Sequence, residues 1–134
     1  MLQVTDKPIV LEEFISRIRW DECGALVTFA GKVRAYSGDK RVLSLEHKAP
    51  GQAAKRLLSD IAKEMRKKWN LGEVAFCYRT GPVAAGETTL VIAVAAPHRP
   101  EAFAACQYAI DRFKQEVSAK EIREDGEFRI GGKS

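Results

Sequence analysis

Apolar residues recur along this chain at two spacings, and the spacings predict alternating helices and strands. Steps of three and four residues, which place side chains on one face of a helix, predict helices over residues 9–18, 52–69 and from Pro100 onward. Runs of β-branched and aromatic residues predict strands over residues 24–34, 42–47, 73–79 and 88–96. The polar, glycine-containing stretch 35–41 is typical of a mobile loop.

The third helix is expected to bury one of its faces. Apolar residues follow one another along it at steps of three and four: Phe103, Cys106, Ile110, Phe113 and Val117. Lys114 lies one step off that face, where a lysine is normally solvated.

The C-terminal part of the chain has the sequence of a β-hairpin. Asp125-Gly126 is a strong turn signal, and it lies between strands predicted over residues 120–124 and 127–130. The strands over 73–79 and 88–96 flank a short connection, so we expect them to pair antiparallel. The order of elements therefore predicts an α+β fold, a mostly antiparallel sheet with helices packed on it.

Length and composition are those of an ordinary globular protein. The chain has 134 residues, of which 46% are hydrophobic and 30% charged, which suits a single domain over residues 1–134. The longest apolar stretch, residues 90–96, is too short to span a membrane, and the N-terminus lacks the features of a signal peptide. We therefore expect a cytoplasmic protein with no membrane partner.

The cysteines and histidines do not suggest a metal or disulfide site. Cys23, Cys77 and Cys106 are odd in number and form no CxxC pair, which is typical of apolar residues in a reducing compartment. His47 and His98 have no partners at metal-ligand spacing. No metal and no cofactor are expected.

Net charge is +4, and much of the excess lies on the helix over residues 52–69. Its basic face, between Lys55 and Lys68, is either a solvated surface or the surface of a non-catalytic RNA- or protein-binding module. Aromatic residues that could stack on bases are absent from that helix until Trp69, so nucleic acid is not the expected partner.

The most informative short motif is Pro97-His98-Arg99, between an apolar strand and a helix. Free N–H groups and the positive end of the helix dipole favour an anion at that position. Arg99 adds a bidentate donor, and His98 adds a donor or a titratable proton. The motif is thus either part of an anion-binding site or a capping histidine beside a surface arginine. Arg34 ends a strand and opens the loop around Gly38, where side chains often face a pocket.

Several segments resemble one known family. GALVTFAGKVR, LSLEH, YRTGPVAAGETTLVIAVAAPHRPEAF and DRFK, from about Gly24 to Lys114, are similar to the large, catalytic subunit of molybdopterin synthase. The resemblance implies a hammerhead-like fold and a sulfurtransferase that converts cyclic pyranopterin monophosphate into molybdopterin by adding two dithiolene sulfurs. It also implies a separate small ubiquitin-like partner, whose C-terminal Gly-Gly thiocarboxylate brings the sulfur, in a heterotetramer built on a catalytic-subunit homodimer.

The resemblance also assigns residues. By match, Arg34, His98 and Arg99 would hold the cyclic pterin phosphate, and Lys114 and Lys120 would be catalytic. The chain departs from the family between the two lysines, since the usual Pro and Trp are absent there. A scaffold paralogue that binds the carrier without turnover is therefore a further alternative.

Helix geometry constrains how these residues share a site. Arg99 and Lys114 are 15 residues apart in the sequence. A continuous helix at about 1.5 Å per residue separates them by roughly 20 Å. The spacing therefore predicts that His98 and Arg99 serve the Lys114 site of a neighbouring protomer.

Overall fold

The computed structural model describes residues 1–126 and 128–131 of the chain. The helices are α1 (Leu11–Ser16), α2 (Gly51–Lys68) and α3 (Arg99–Glu116). The strands are β1 (Leu2–Thr5), β2 (Ala25–Lys32), β3 (Tyr36–Ser37), β4 (Lys40–His47), β5 (Val74–Arg79), β6 (Val83–Ala84), β7 (Thr88–Ala96), β8 (Ala119–Arg123) and β9 (Phe128–Gly131).

The first sheet has the strand order β1-β5-β7-β2. Its middle strand β7 is buried at every position after Thr88, which fits its nearly continuous apolar sequence. β5 and β7 pair antiparallel, with Phe76 opposite Ile92, as the short connection between them predicts. β1 was not predicted; it lies parallel to β5 at the sheet edge.

The second sheet follows the path β3-β4-β8-β9, and β6 also pairs with β4. β8 and β9 form the antiparallel C-terminal hairpin that Asp125-Gly126 predicts, although Glu127, in the second predicted strand, lies outside the described residues. The predicted α+β class with mostly antiparallel strands is confirmed. The strands are divided between two sheets, which a pattern of periodicities along one chain does not reveal.

Helices cover both faces of the first sheet, because side chains of a strand alternate between faces. Phe76 and Tyr78 of β5 pack with α2 and α3, against residues such as Leu58. Ala75 and Cys77 point the other way, to Phe14 of α1. Each strand residue therefore contributes to a core on its own side.

The buried face of α3 differs in one position from the prediction. Cys106, Phe113 and Val117 are buried as expected, but Phe103 is 61% exposed, so its assignment to the core was wrong. An alanine stripe, Ala102, Ala105 and Ala109, is fully buried instead. These small residues turn toward the sheet and leave the larger neighbouring side chain outside.

The stretch predicted as a mobile loop, residues 35–41, contains the short strand β3. β3 pairs with the start of β4, with Tyr36 opposite Arg41. The chain reverses at Gly38, whose φ of +65° lies in the left-handed region that favours glycine. The reversal directs the chain from Arg34 into the second sheet.

Candidate active site

A cavity of about 390 Å³ lies where the C-terminal end of α3 meets β2, β4 and the β8–β9 hairpin. This volume is in the range of small-molecule sites. The charged and titratable side chains around it come from five parts of the chain: Lys32, Arg34, His47, Lys114, Glu121 and Arg129. Phe29, Leu45 and Phe113 contribute apolar wall. Cations outnumber the single carboxylate in this lining, so the cavity favours an anionic ligand.

Lys114 reaches the cavity from the last turn of α3. Phe113 anchors this turn in the core with 2% exposure, and the N–H of Val117 donates to the carbonyl of Phe113 where the helix ends. Lys114 is one step round the helix and is exposed. The helix dipole favours a basic side chain at a helix C-terminus, so the last turn of α3 is a suitable position for a lysine.

Glu121 is the buried carboxylate of the site, with 3% exposure. Its Oε1 lies 3.2 Å from Nε of Arg123, and its Oε2 lies 3.8 Å from Nε of Arg34. Nη2 of Arg129 is 4.0 Å from the same Oε2. Because a buried carboxylate requires cations around it, Glu121 gathers arginines from three separate segments at one wall of the cavity.

His47, at the end of β4, lies close to Lys114. Burial and the charge of Lys114 lower the pKa of His47 to about 4, so its imidazole is neutral at pH 7. The ring packs between Phe113, in an edge-on contact at 5.4 Å, and Tyr78, at 5.9 Å. It contributes a polar group to the cavity without adding to its positive charge.

The predicted site residues fall into two groups. Arg34 and Lys114 line the cavity together. His98 is the N-cap of α3 and Arg99 its first residue, and both are exposed. α3 is continuous between Arg99 and Lys114, so the roughly 20 Å separation applies, and neither His98 nor Arg99 lines this chain's own cavity.

Lys120 occupies a different position from Lys114. It lies on β8 between Ala119 and Glu121, which both line the cavity, so the alternation of a strand directs Lys120 to the opposite face. There its Nζ is 4.8 Å from the centroid of the Phe128 ring.

Sequence reasoning missed Lys32, His47, Glu121 and Arg129 as parts of the site. Glu121 could have been found from the alternation of the strand that holds Lys120. His47 stands in the LSLEH segment, but it was considered only as a metal ligand. Nothing in the local sequence of Arg129 distinguishes it from a surface arginine.

The metal-ligating and thiol side chains of the described residues are dispersed. Within residues 1–126 and 128–131 there is no group of three or more His, Cys, Asp or Glu arranged to hold a metal. The three cysteines are free, and burial raises the pKa of Cys77 and brings that of Cys106 to about 11. Among the described helices, none has the length and apolar character needed to cross a membrane.

Fold and cavity together define a mixed α+β protein with a small-molecule-sized cavity lined mostly by cationic side chains. The family model described as MoaE protein matches residues 4–116. The chain is 41% identical over 131 residues to the molybdopterin synthase catalytic subunit of Bacillus subtilis, covering 96% of this chain and 83% of that one. The corresponding subunit of Thermoplasma volcanium is 38% identical over 127 residues, with 93% of each chain covered.

A solved structure agrees with the sequence matches. The crystal structure of molybdopterin synthase from Staphylococcus aureus superposes with a TM-score of 0.85 and 32% identity, over 97% of this chain and 96% of that one. The chain belongs to the MoaE protein family.

Proposed function

We propose that this chain is the catalytic subunit of a molybdopterin synthase. It transfers sulfur from the C-terminal Gly-Gly thiocarboxylate of a small ubiquitin-like carrier to cyclic pyranopterin monophosphate, forming the dithiolene of molybdopterin. The observation that carries the proposal is the placement of Lys114 and Arg34 in one cationic cavity of a chain with this family membership. The relatives' name, catalytic subunit, also fits a protein that works with a further subunit.

The cavity offers the groups that this chemistry needs. Arg34, held beside Glu121, can bind the substrate phosphate, since hydrogen bonds to charged groups are worth roughly 1.5–3 kcal/mol each. Lys114 supplies a proton donor and acceptor beside the bound pterin. Hydrolysis of the acyl–sulfur bond leaves each spent carrier with a carboxylate. On the substrate, one sulfur displaces the phosphate ester oxygen as the cyclic phosphate opens, and the other displaces an oxygen that leaves as water. No cysteine, metal or cofactor of this chain is needed, because the partner brings the sulfur.

His98 and Arg99 complete the site from a second copy of the chain in this proposal. The distance along α3 supports it, because these residues lie about 20 Å from Lys114 of their own chain. The functional unit is then a homodimer with shared active sites and one carrier per catalytic subunit, which makes a heterotetramer.

Lys120 is proposed as a second catalytic lysine, on the resemblance alone. Its side chain lies on the face of β8 opposite the cavity, so it would reach the substrate only around the edge of the strand. Loss of turnover in Lys120→Ala with an unchanged circular dichroism spectrum is the expected result. Wild-type turnover in that variant would remove Lys120 from the site.

The proposed function also bears on the cellular compartment and on the alternative partners of the chain. The three free cysteines fit a cytoplasmic protein. The alternative of an RNA- or protein-binding module on the basic face of α2 has no support among the relatives described above.

Reconstitution tests the proposal directly. The purified chain is mixed with the thiocarboxylated carrier and cyclic pyranopterin monophosphate, and dithiolene product is measured. Lys114→Ala should reduce product by at least about 100-fold with folding retained, because the side chain is outside the core. Lys63→Ala, on the exposed side of α2, is the matched control. If the wild type binds the carrier but forms no product, the scaffold alternative replaces the catalytic one.

A further inference from the structure

His47 borders two depressions of the surface at once. One is the cavity of Lys114, and the other is a shallower pocket of about 330 Å³ lined by residues that include Glu46, Lys48 and Thr80. The imidazole is fixed between these spaces by its contacts with Phe113 and Tyr78. The hydroxyl of Tyr78 donates to the carbonyl of Ala49 at 2.7 Å, which holds that ring in turn. His47 is therefore a polar group in a rigid aromatic setting.

The two ring nitrogens of His47 have different surroundings. Nδ1 is buried and has no hydrogen-bond partner within the described residues. Nε2 is not buried without a partner in this way, so it is the nitrogen that can contact solvent or a ligand. A buried N–H without an acceptor is rarer in proteins than a buried acceptor without a donor, so the ring proton belongs on Nε2.

A donor of this kind complements the ammonium of Lys114. An Nε2–H cannot accept a hydrogen bond from Lys114, so the two groups do not satisfy each other. Both side chains line the same cavity, so one ligand bound there can accept hydrogen bonds from the two of them. A neutral donor beside a cation binds an anionic oxygen without the repulsion that a second ammonium or imidazolium would cause.

We propose that His47 is a substrate-contacting residue, which donates a hydrogen bond from Nε2–H to an anionic oxygen that Lys114 also binds. This rests on the proposed function, which supplies two sources of such an oxygen: the C-terminal carboxyl group of the carrier and the phosphate of the pterin. The chemistry at His47 is the same in both cases.

Two variants separate the donor from the ring. His47→Gln keeps an N–H donor at a similar reach, whereas His47→Phe keeps an aromatic ring against Phe113 and Tyr78 and has no donor. In the reconstituted reaction, His47→Phe should lower kcat/KM by roughly 10- to 100-fold, and His47→Gln should stay within about threefold of wild type. Equal losses in both variants, or no loss in His47→Phe while the wild type is active, overturn the proposal and leave the proposed function standing.

Ring ¹⁵N spectra of the whole protein test the contact without turnover, so they remain informative if the wild type is inactive. At pH 7 the His47 signals, assigned by their absence in His47→Gln, should show the Nε2–H tautomer. Carrier with an ordinary C-terminal carboxylate is added to one sample and inorganic phosphate to another. A shift of Nε2 with the carrier identifies the carboxyl source, and a shift with phosphate identifies the phosphate source. An Nδ1–H tautomer, or no shift with either ligand, contradicts the proposal.

Discussion

The two ends of α3 contain residues proposed for the active site, in opposite surroundings. At the N-terminal end, His98 and Arg99 form a recognisable motif, yet both are exposed and neither lines the cavity that holds Lys114. At the C-terminal end, Lys114 closes only the short segment DRFK, yet it lies in the cavity with Arg34, His47 and Glu121. A distinctive motif therefore suggests which chemistry a segment can perform. The location of the pocket depends on contacts between segments that are far apart in the sequence.

Electrostatics also distinguish the two ends. Lys114 stands where the helix dipole favours a cation, and Arg99 stands where the dipole disfavours one, with Glu101 in the same turn as partial compensation. An anion that reaches Arg99 relieves this disadvantage. The N-terminal end of α3 therefore favours an anionic ligand, although the cavity of the same chain lies at the other end of the helix.

Mixed dimers test most strongly whether the two ends of α3 serve different protomers. Arg99→Ala and Lys114→Ala should each reduce product formation by at least about 100-fold as separate homodimers. If the ends of two helices share a site, random exchange of the two variants restores about a quarter of the wild-type sites, since half of the dimers are mixed and half of their sites intact. Product formation after exchange, with dimer composition checked by native mass spectrometry, measures this. No recovery in verified mixed dimers would place both ends in one chain's site.

Removing the charge of Glu121 should show how much the C-terminal end depends on its carboxylate. Glu121→Gln leaves Arg123, whose side chain is 16% exposed, with a weaker partner and removes the ion pair of Arg34. We expect a loss of about 1–3 kcal/mol in the free energy of unfolding and weaker substrate binding.

Urea unfolding and substrate titration measure these two effects. Glu116→Gln is the matched control, because that carboxylate is 55% exposed and pairs with Arg112 within α3. The control should change stability by less than about 0.5 kcal/mol. Equal changes in the two variants would mean that Glu121 does not organise the cavity.

Acid should weaken the C-terminal end through His47. Its pKa is about 4 in the folded chain against 6.5 when exposed, so between these values the unfolded chain binds a proton that the folded chain does not. Stability therefore falls as pH falls from 6.5 to 4, by about 3 kcal/mol at most. Urea unfolding at half-unit pH steps should show this slope in the wild type and lose it in His47→Phe.

The carboxyl group of Glu64 affects stability at lower pH than His47 does. Hydrogen bonds from Arg112 and Tyr108 lower the pKa of Glu64 to about 2, so its stabilising contribution is lost only as pH falls from 4.5 toward 2. A slope that persists between pH 6.5 and 4 in His47→Phe would assign the acid sensitivity to other groups.

Much of the fold could be predicted because local patterns report local structure. The apolar run of β7 and the Asp125-Gly126 turn identify their elements without knowledge of neighbours. β1 escaped prediction because its four residues are held by pairing with β5, which is more than seventy positions away in the sequence. The prediction for Phe103 was wrong because periodicity follows the large apolar residues. The face that packs on the sheet is formed largely by alanines, which are only weakly apolar.

The candidate site was predictable only where a side chain follows from helix or strand geometry. Lys114 lies one step off a buried face, which the sequence states directly. The role of Glu121 depends on Arg34 and Arg129, which come from other segments, and their meeting is a result of the second sheet. The sequence of a single segment does not indicate which distant segments it will contact.

The alanine stripe of α3 has a consequence for how this protein can change over generations. Ala102, Ala105 and Ala109 are fully buried, so larger side chains there would cost about 1–3 kcal/mol and displace the helix. Phe103 and Gln107, on the outer side, carry no such restriction. New contacts with a different neighbour can therefore be acquired on the outside of the helix, while Lys114 at its end keeps its place.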